Sequence, residues 1–521
     1  MKLKLLFAAV LLLGGTRLSP AATINAASGS FVDVSNAIAQ ANPGDTVLLP
    51  PGTNSWSSTM VISGITLQGS GVNNTVIRDE TPIPPNGNGT PFLQVNTVLN
   101  ALTRITQIQF AAGVNNNITS NPNDYAGNIV VYGGSPNWRI DHSEFNLLTG
   151  KNIMVNNDSF GLIDHNIFLT YDRISVEVYG LGWGDPDWAA PTQFGSANAV
   201  YIEDNYQSDS CNFGWVDISG GGRVVFRHNT MIGSYVNTHG SESAQRYRSA
   251  RYVEVYNNNF SYGNGQQYSD FYTAVDIRGG SAVIFSNTVS GYYSLTSIEY
   301  YRATDNDSGF TPWFGATGIS GWDNNGPTLL TGNASVTSNA LVVANANWTP
   351  NQWVGCTVYN PANQLCGMVS GNTANTMTFA GSRRAWLQIS FNQGDSFVVH
   401  HVYPELDQPG TGQCNLLSGD NPTPVWLNQV AEPIYVWSNS LSIMYNLPYP
   451  EPALAGTTYP NLIQGRDFFN NTARPNYSPY TYPHPLTLTD SNTITVTIPT
   501  NNVSTNTILL APPTNLSAHG L

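Results

Sequence analysis

Apolar and polar residues alternate over short stretches through most of the chain, and each stretch stops at Gly or Asn. That period of two predicts short half-buried strands joined by tight turns. Four stretches share one frame: Val176-Glu177-Val178-Tyr179-Gly180, Val216-Asp217-Ile218-Ser219-Gly220, Val236-Asn237-Thr238-His239-Gly240 and Val275-Asp276-Ile277-Arg278-Gly279. On a strand, their first and third residues face one way, while the second and fourth face the other. A helical pattern occurs at Phe31–Ala41, where Val32, Val34, Ile38 and Ala41 are apolar. With Pro43-Gly44-Asp45 and Thr46-Val47-Leu48 behind it, this predicts a short helix, a turn and a strand.

A longer period is superimposed on the alternation. Asp164-His165-Asn166-Ile167-Phe168 matches Arg227-His228-Asn229-Thr230-Met231, and Asn257-Asn258-Asn259-Phe260 and Ser286-Asn287-Thr288-Val289 follow. Asp141-His142-Ser143 and Glu203-Asp204-Asn205 are variants. The key positions 143, 166, 205, 229, 258 and 287 lie 23, 39, 24, 29 and 29 residues apart, the long interval holding an inserted loop at Gly180–Ser196. A repeat of this size built from strands and turns predicts a solenoid, in which each Asn hydrogen-bonds to its equivalent in the next coil. Val436-Trp437-Ser438-Asn439 repeats the transition late in the chain.

With its helical cap and Asn-x-apolar turns, the chain resembles the right-handed parallel β-helix superfamily of secreted proteins that includes the pectate lyases. The expected fold is all-β, a right-handed parallel β-helix (solenoid) with an N-terminal helical cap and a small inserted β module. The resemblance implies an exported carbohydrate-active protein, although no complete lyase motif carries over residue by residue. The expected divisions are a signal peptide (1–21), a capped β-helix (22–332), a β module (333–395), a continuation with a Pro/Tyr-rich cap packed on the end of the coil (396–486), and a β-like tail (487–521).

Lys2 and Lys4 precede the apolar run Leu5–Leu13 and a small-residue exit at Ser19-Pro20-Ala21, the order of a secretory signal peptide. The run is too short to span a bilayer, so a secreted, extracellular or periplasmic monomer without a transmembrane anchor is expected, with cell-surface association as a variant. Net charge is −14, and losing Lys2, Lys4 and Arg17 takes it to −17. This excludes a nucleic-acid partner, which requires a basic footprint. No glycine loop opens a helix, so no nucleotide or organic cofactor is expected. Of Cys211, Cys356, Cys366 and Cys414, the pair flanking a turn, Cys356 and Cys366, is the expected disulfide.

Candidate chemistry lies on the face opposite the valines, expected to be open to solvent. Glu177, Asp217 and Asp276 stand there with His239 and Arg278 as the candidate catalytic set. Tyr179, Trp183 and Trp188 are placed to stack on sugar rings, and Arg246 and Arg248 to meet an acidic polysaccharide. A lyase would neutralise a uronate carboxylate, take a proton with Arg278, His239 or a nearby Lys, and assist the leaving oxygen with Tyr or water. An inverting glycoside hydrolase would instead use two of the carboxyls, and a non-catalytic polysaccharide-binding protein would use neither. Asp141, Asp164 and Glu203 precede the Asn turns and form a candidate Ca²⁺ ladder of hard oxygen donors.

Overall fold

The computed structural model describes residues 20–82, 90–113, 128–146, 151–169, 174–181, 187–188, 190–208, 214–240, 249–262, 273–300, 328–354, 356–363, 365–379, 388–400, 409–410, 432–441, 443–448, 464–465 and 467–489. The proposed signal segment, apart from its last two residues, and the tail beyond 489 lie outside them. Helix Phe31–Ile38 starts at Ser30, whose hydroxyl accepts the Asp33 N–H at 3.2 Å, the usual satisfaction of a helix's first orphan donors. Its buried Val34 and Ala37 close the first coil.

Three parallel sheets form the coil: sheet A with twelve described strands, sheet B with nine and sheet C with ten. Strand neighbours come from successive turns of the chain, and the nine described coils between Thr46 and Tyr300 each contribute a strand to each sheet. The inward residues form one continuous core, with aromatic rings in contact along it from Phe31 through Trp56, Phe92, Phe110, Phe145, Phe168, Trp215 and Phe226 to Phe260.

The Asn repeat forms the turn from sheet A to sheet B. Asn205 Oδ1 accepts the Asn166 N–H at 2.9 Å, Asn229 Oδ1 accepts that of Asn205 at 3.0 Å, and Asn258 and Asn287 continue the ladder. Asn439 extends it by one more coil, accepting the Asn287 N–H at 2.9 Å. The residue before each Asn holds a left-handed conformation, with φ of 54° at His165, 56° at Asp204 and His228, and 57° at Asn257. His, Asp and Asn are among the side chains that tolerate this region best.

A separate antiparallel sheet of six strands carries its own core around Leu341, Val358, Met377, Phe391 and Val399. Strand Thr328–Asn333 pairs with Ser396–His400 to close it, one strand outside each expected boundary. Cys356 is a free, buried thiol in this core, and burial raises its pKa to about 11. Strand register sets Cys366 opposite Tyr359 instead, so the expected disulfide is not formed. Cys211 and Cys414 lie outside the described residues.

The Pro/Tyr-rich segment is not an end cap. After strand Phe468–Asn470 closes sheet A, the chain turns back and crosses the outer face of that sheet as a strap. Tyr477 packs edge-on against Phe285 and Trp437, the Tyr480 and Thr481 carbonyls accept from Arg227 at 2.8 and 2.9 Å, and the His484 N–H donates to Glu203 at 2.8 Å. The Leu486 carbonyl reaches Arg139 at 3.3 Å. The physical reason is the tyrosine-rich outer surface of sheet A: Tyr201, Tyr252 and Tyr256 are buried there with Tyr480 and Leu486 packed against them.

This packing makes stability depend on pH. Burial, opposed by Arg227, pushes the Glu203 carboxyl up to about 7, and burial, opposed by the Tyr477 hydroxyl, pushes Glu254 to about 7. Both groups favour the folded state when protonated, so their contribution is lost as pH rises from the ordinary carboxyl range through 7. His228 and His484, which burial lowers to about 4, act in the opposite sense below 6.5. Thermal denaturation is therefore expected to show a falling midpoint from pH 6.5 to 8, and the Glu203→Gln, Glu254→Gln double variant should reduce that slope, the remainder coming from Asp187, raised to about 8, and His165, raised to about 9.

Candidate functional site

Strand register confirms the four-strand frame. On sheet C, Glu177 pairs with Asp217, Asp217 with Asn237, Asn237 with Asp276, and Asp276 with Ser297. Tyr179 pairs with Ser219 in the parallel row. Toward the N-terminus the first row continues through Met154, Val130 and Gln94, so its ionisable groups are confined to four adjacent strands.

The row faces away from the core but is not open to solvent. Glu177, Asp217, Asn237, Asp276 and Arg278 are all buried, whereas Tyr179 and His239 are part-exposed. Neighbouring carboxyls so enclosed require donors, and each has them. Lys151 contacts Glu177 Oε2, and the Tyr179 hydroxyl donates to Glu177 Oε1 at 2.5 Å. Asn237 Nδ2 donates to Asp217 Oδ1 at 2.9 Å, and Ser297 donates to Asp276 at 2.7 Å. Arg278 Nε donates to Asn237 Oδ1 at 3.2 Å and lies 3.7 Å from Asp276. Burial pushes Asp217 up to about 6 against the pull of Arg278 and Lys151, and it raises Glu177 against Lys151.

At the accessible edge, His239 Nδ1 lies 2.9 Å from Asp217 Oδ1 and 2.9 Å from the Ser219 hydroxyl. A carboxylate accepting from Nδ1–H selects the tautomer whose Nε2 carries the lone pair, the arrangement of a general base. The Ser219 hydroxyl contacts that same Nδ1, so it is not placed to give its proton to Nε2 as a serine nucleophile would.

Lys151 is the residue that the repeat pattern missed. It precedes strand Ile153–Val155, outside the shared frame, yet a signal was present: it is the sole lysine after Lys4. Its ammonium also lies 6.0 Å from the Tyr179 ring centre. Trp188, expected as a sugar platform, is fully buried instead, with its indole N–H donating to the Ser249 carbonyl at 3.2 Å and Arg251 over its ring. Trp183, Arg246 and Arg248 lie outside the described residues.

The expected Ca²⁺ ladder has its oxygens occupied. Asp141, Asp164 and Glu203 do stack in register, followed by Arg227. However, Arg104 forks Asp141, Arg139 forks Asp164 with both bonds at 2.7 Å, and Arg227 Nε meets Glu203 at 2.6 Å. His142 and His165 each add a 2.7 Å contact to the preceding aspartate. Burial would raise Asp164, but Arg139 and His165 outweigh it and hold the carboxyl well below its ordinary range. Among the described residues no group of three or more such side chains is arranged to hold a metal. These acids pair with guanidinium groups.

Parallel coils, the Asn ladder and the stacked core decide the fold. The chain is a parallel β-helix. Solved β-helix structures similar to it include an alginate lyase from Paenibacillus sp. str. FPU-7, at 14% identity and a TM-score of 0.31, covering 53% of this chain and 93% of that one. A PL6 family alginate lyase matches at 17% identity and a TM-score of 0.32, covering 55% of this β-helix chain but only 41% of that chain. A pectin methylesterase bound to a hexasaccharide matches at 12% identity and a TM-score of 0.23, with 41% and 78% covered. No family model and no curated protein matches the chain.

Proposed function

We propose that this β-helix is a secreted polysaccharide lyase that cleaves an acidic glycan by β-elimination on sheet C. The carrying observation is that the accessible end of the buried ionic cluster is an imidazole and a phenol, with every carboxyl behind them already engaged. A glycosidase needs two carboxyls flanking a gap of roughly 5–9.5 Å that admits substrate or water, and engaged carboxyls suit that role poorly. In the elimination, His239 Nε2 removes the proton α to a uronate carboxyl. The C–H electrons form the new C=C bond, the glycosidic C–O bond breaks, and the leaving oxygen takes a proton from Tyr179. Water then re-protonates Tyr179 and takes up the proton held by His239, which restores the resting site. Lys151 and Arg278 supply the positive potential that favours the carboxylate-stabilised carbanion.

A panel of polyuronates and neutral glucans, assayed with Ca²⁺ and with chelator, tests the proposal. Ultraviolet-absorbing unsaturated ends from a polyuronate are the expected product. New reducing ends without that absorbance would favour the hydrolase, and retention of polymer without cleavage would favour a binding protein. Activity that survives chelation assigns carboxylate neutralisation to Lys151 and Arg278, whereas its loss assigns that role to a bound cation.

A further inference from the structure

The Tyr179 row of sheet C continues past the candidate site toward the N-terminus. Val155 pairs with both Val178 and Val131, which sets Asn156 between Tyr179 and Tyr132. Tyr132 in turn pairs with Asn96, and Asn96 with Ser63. This row reaches solvent where the parallel one does not. Val130, Met154 and Glu177 are buried, whereas Ser63 and Tyr132 are exposed and Asn96, Tyr179 and His239 part-exposed, with Asn156 and Ser219 buried between them. Tyr132 is 37% exposed on a fixed backbone. Its carbonyl accepts the Thr97 N–H at 2.7 Å, and Gly133 and Gly134, with φ of 119° and 66°, turn the chain away behind it. A Cβ on Gly133 would stand 2.7 Å from the Thr97 hydroxyl oxygen, so this exit requires glycine.

The chemistry of the row is equally distinct. The protein carries 33 acidic against 19 basic side chains, yet Ser63, Asn96, Tyr132 and Asn156 present hydroxyls and amides without a carboxylate. Gln94 Nε2 donates to Asn96 Oδ1 at 2.8 Å, which commits the Asn96 oxygen and leaves its N–H groups for an acceptor. Neighbouring strands lie about 4.8 Å apart, close to the length of one sugar in an extended polyuronate, so Tyr132 stands roughly two sugars from Tyr179.

We propose that this row is the track along which the acidic polymer lies, parallel to the coil axis, and that Tyr132 is the platform on which a sugar remote from the cleaved bond stacks. A uronate ring offers an apolar face to the tyrosine, and its carboxylate meets amide donors with no like charge opposed to it. Because the backbone of the platform is already fixed, little ordering opposes the contact. Tyr132 thus sets specificity for chain length and takes no part in the chemistry. Cleavage of the bound polymer rests on the lyase reading, whereas the position of the track does not.

A size series of polyuronate oligomers, from dimer to polymer, tests the track. In the unaltered protein KM should fall once the oligomer is long enough to pass Tyr132. Tyr132→Ala should raise KM roughly three- to tenfold on the long substrates at unchanged kcat, and leave the dimer unaffected. Tyr132→Phe should stay within about twofold of the unaltered protein, since stacking uses the ring face and not the hydroxyl. Asn96→Asp keeps the shape and adds a charge, so it should raise KM severalfold at low salt and lose that effect at high salt. Tyr293→Ala removes a tyrosine that is 74% exposed at the corner before strand Ser294–Tyr300, and it should change nothing. Equal losses at Tyr132 and Tyr293, a loss on the dimer as large as on the polymer, or no loss at Tyr132 overturns the track. If Tyr132→Ala does not fold, Asn96→Asp and its salt dependence decide. A chain that cleaves no polyuronate defeats the lyase reading, and retention of the uncleaved polymer then judges the track. Weaker retention in Tyr132→Ala and Asn96→Asp alone upholds it, and no retention by the unaltered protein overturns it as well.

Discussion

Asn229→Ala is expected to destabilise the coil by about 2–5 kcal/mol, because it strands several buried backbone and side-chain groups at once. Asn229 Oδ1 accepts from both Asn205 N–H at 3.0 Å and Asn205 Nδ2 at 3.1 Å. Its own Nδ2 donates to the Ile202 and Arg227 carbonyls, each at 2.9 Å, and contacts Asn258 Oδ1 at 3.2 Å. Alanine fills none of these roles, and both Asn229 and Asn205 are buried. Asn259→Ala, at an exposed position two residues after the left-handed Asn257, should change stability by less than about 0.5 kcal/mol. Urea denaturation of the two variants separates them. Equal midpoints would mean that core packing, and not the ladder, holds successive coils in register.

The second large effect concerns turnover. His239→Gln keeps much of the side-chain volume and an amide able to meet Asp217, but it has no basic nitrogen. Elimination should slow about 10²–10⁴-fold with the urea midpoint unchanged, since His239 is part-exposed and fills no core. Asp217→Asn should slow the reaction less, by releasing the tautomer without removing the base. Full activity in His239→Gln would move the proton abstraction elsewhere, with Lys151 the next group to test. Arg278→Lys should restore little of what Arg278→Ala loses, because an ammonium cannot reproduce the planar contact with Asn237.

The Asn ladder and the acid-rich row were legible because both are periodic and local. Alternation fixes which face Asp217 takes, and the repeat fixes what it stands beside. Solvent exposure was not legible, since the cover over a sheet face comes from segments outside the repeat. Glu177 and Arg278 were thus expected at an open surface and proved buried. The same limit applies to Asp164 and Glu203. Their ladder could be read, but the partners that occupy them, Arg139 and Arg227, project from strands that alternation alone does not mark as basic. Trp188 shows the converse, an aromatic in a polar loop that reads as exposed until Arg251 and Ser249 are found around it. The strap had a compositional signal in its Tyr and Pro residues, but nothing local could say which surface it would choose.

That return of the chain also bears on the order of assembly. Coils can stack one upon another as they emerge, because each needs only its predecessor. The outer tyrosines of sheet A cannot be covered on the same schedule, since the contact between Arg139 and Leu486 joins residues 347 positions apart. Until the C-terminal segment is made, a nearly finished rod carries a stripe of uncovered aromatic rings and of guanidinium N–H groups, such as those Arg227 gives to Tyr480 and Thr481, without their carbonyl partners. Such a surface invites association with another unfinished chain, and closure is a late, non-local event whose rate is set by topology. Chains interrupted before residue 477 should therefore accumulate as coiled but adhesive species, and adding the missing segment as a separate peptide would be expected to return them to solution.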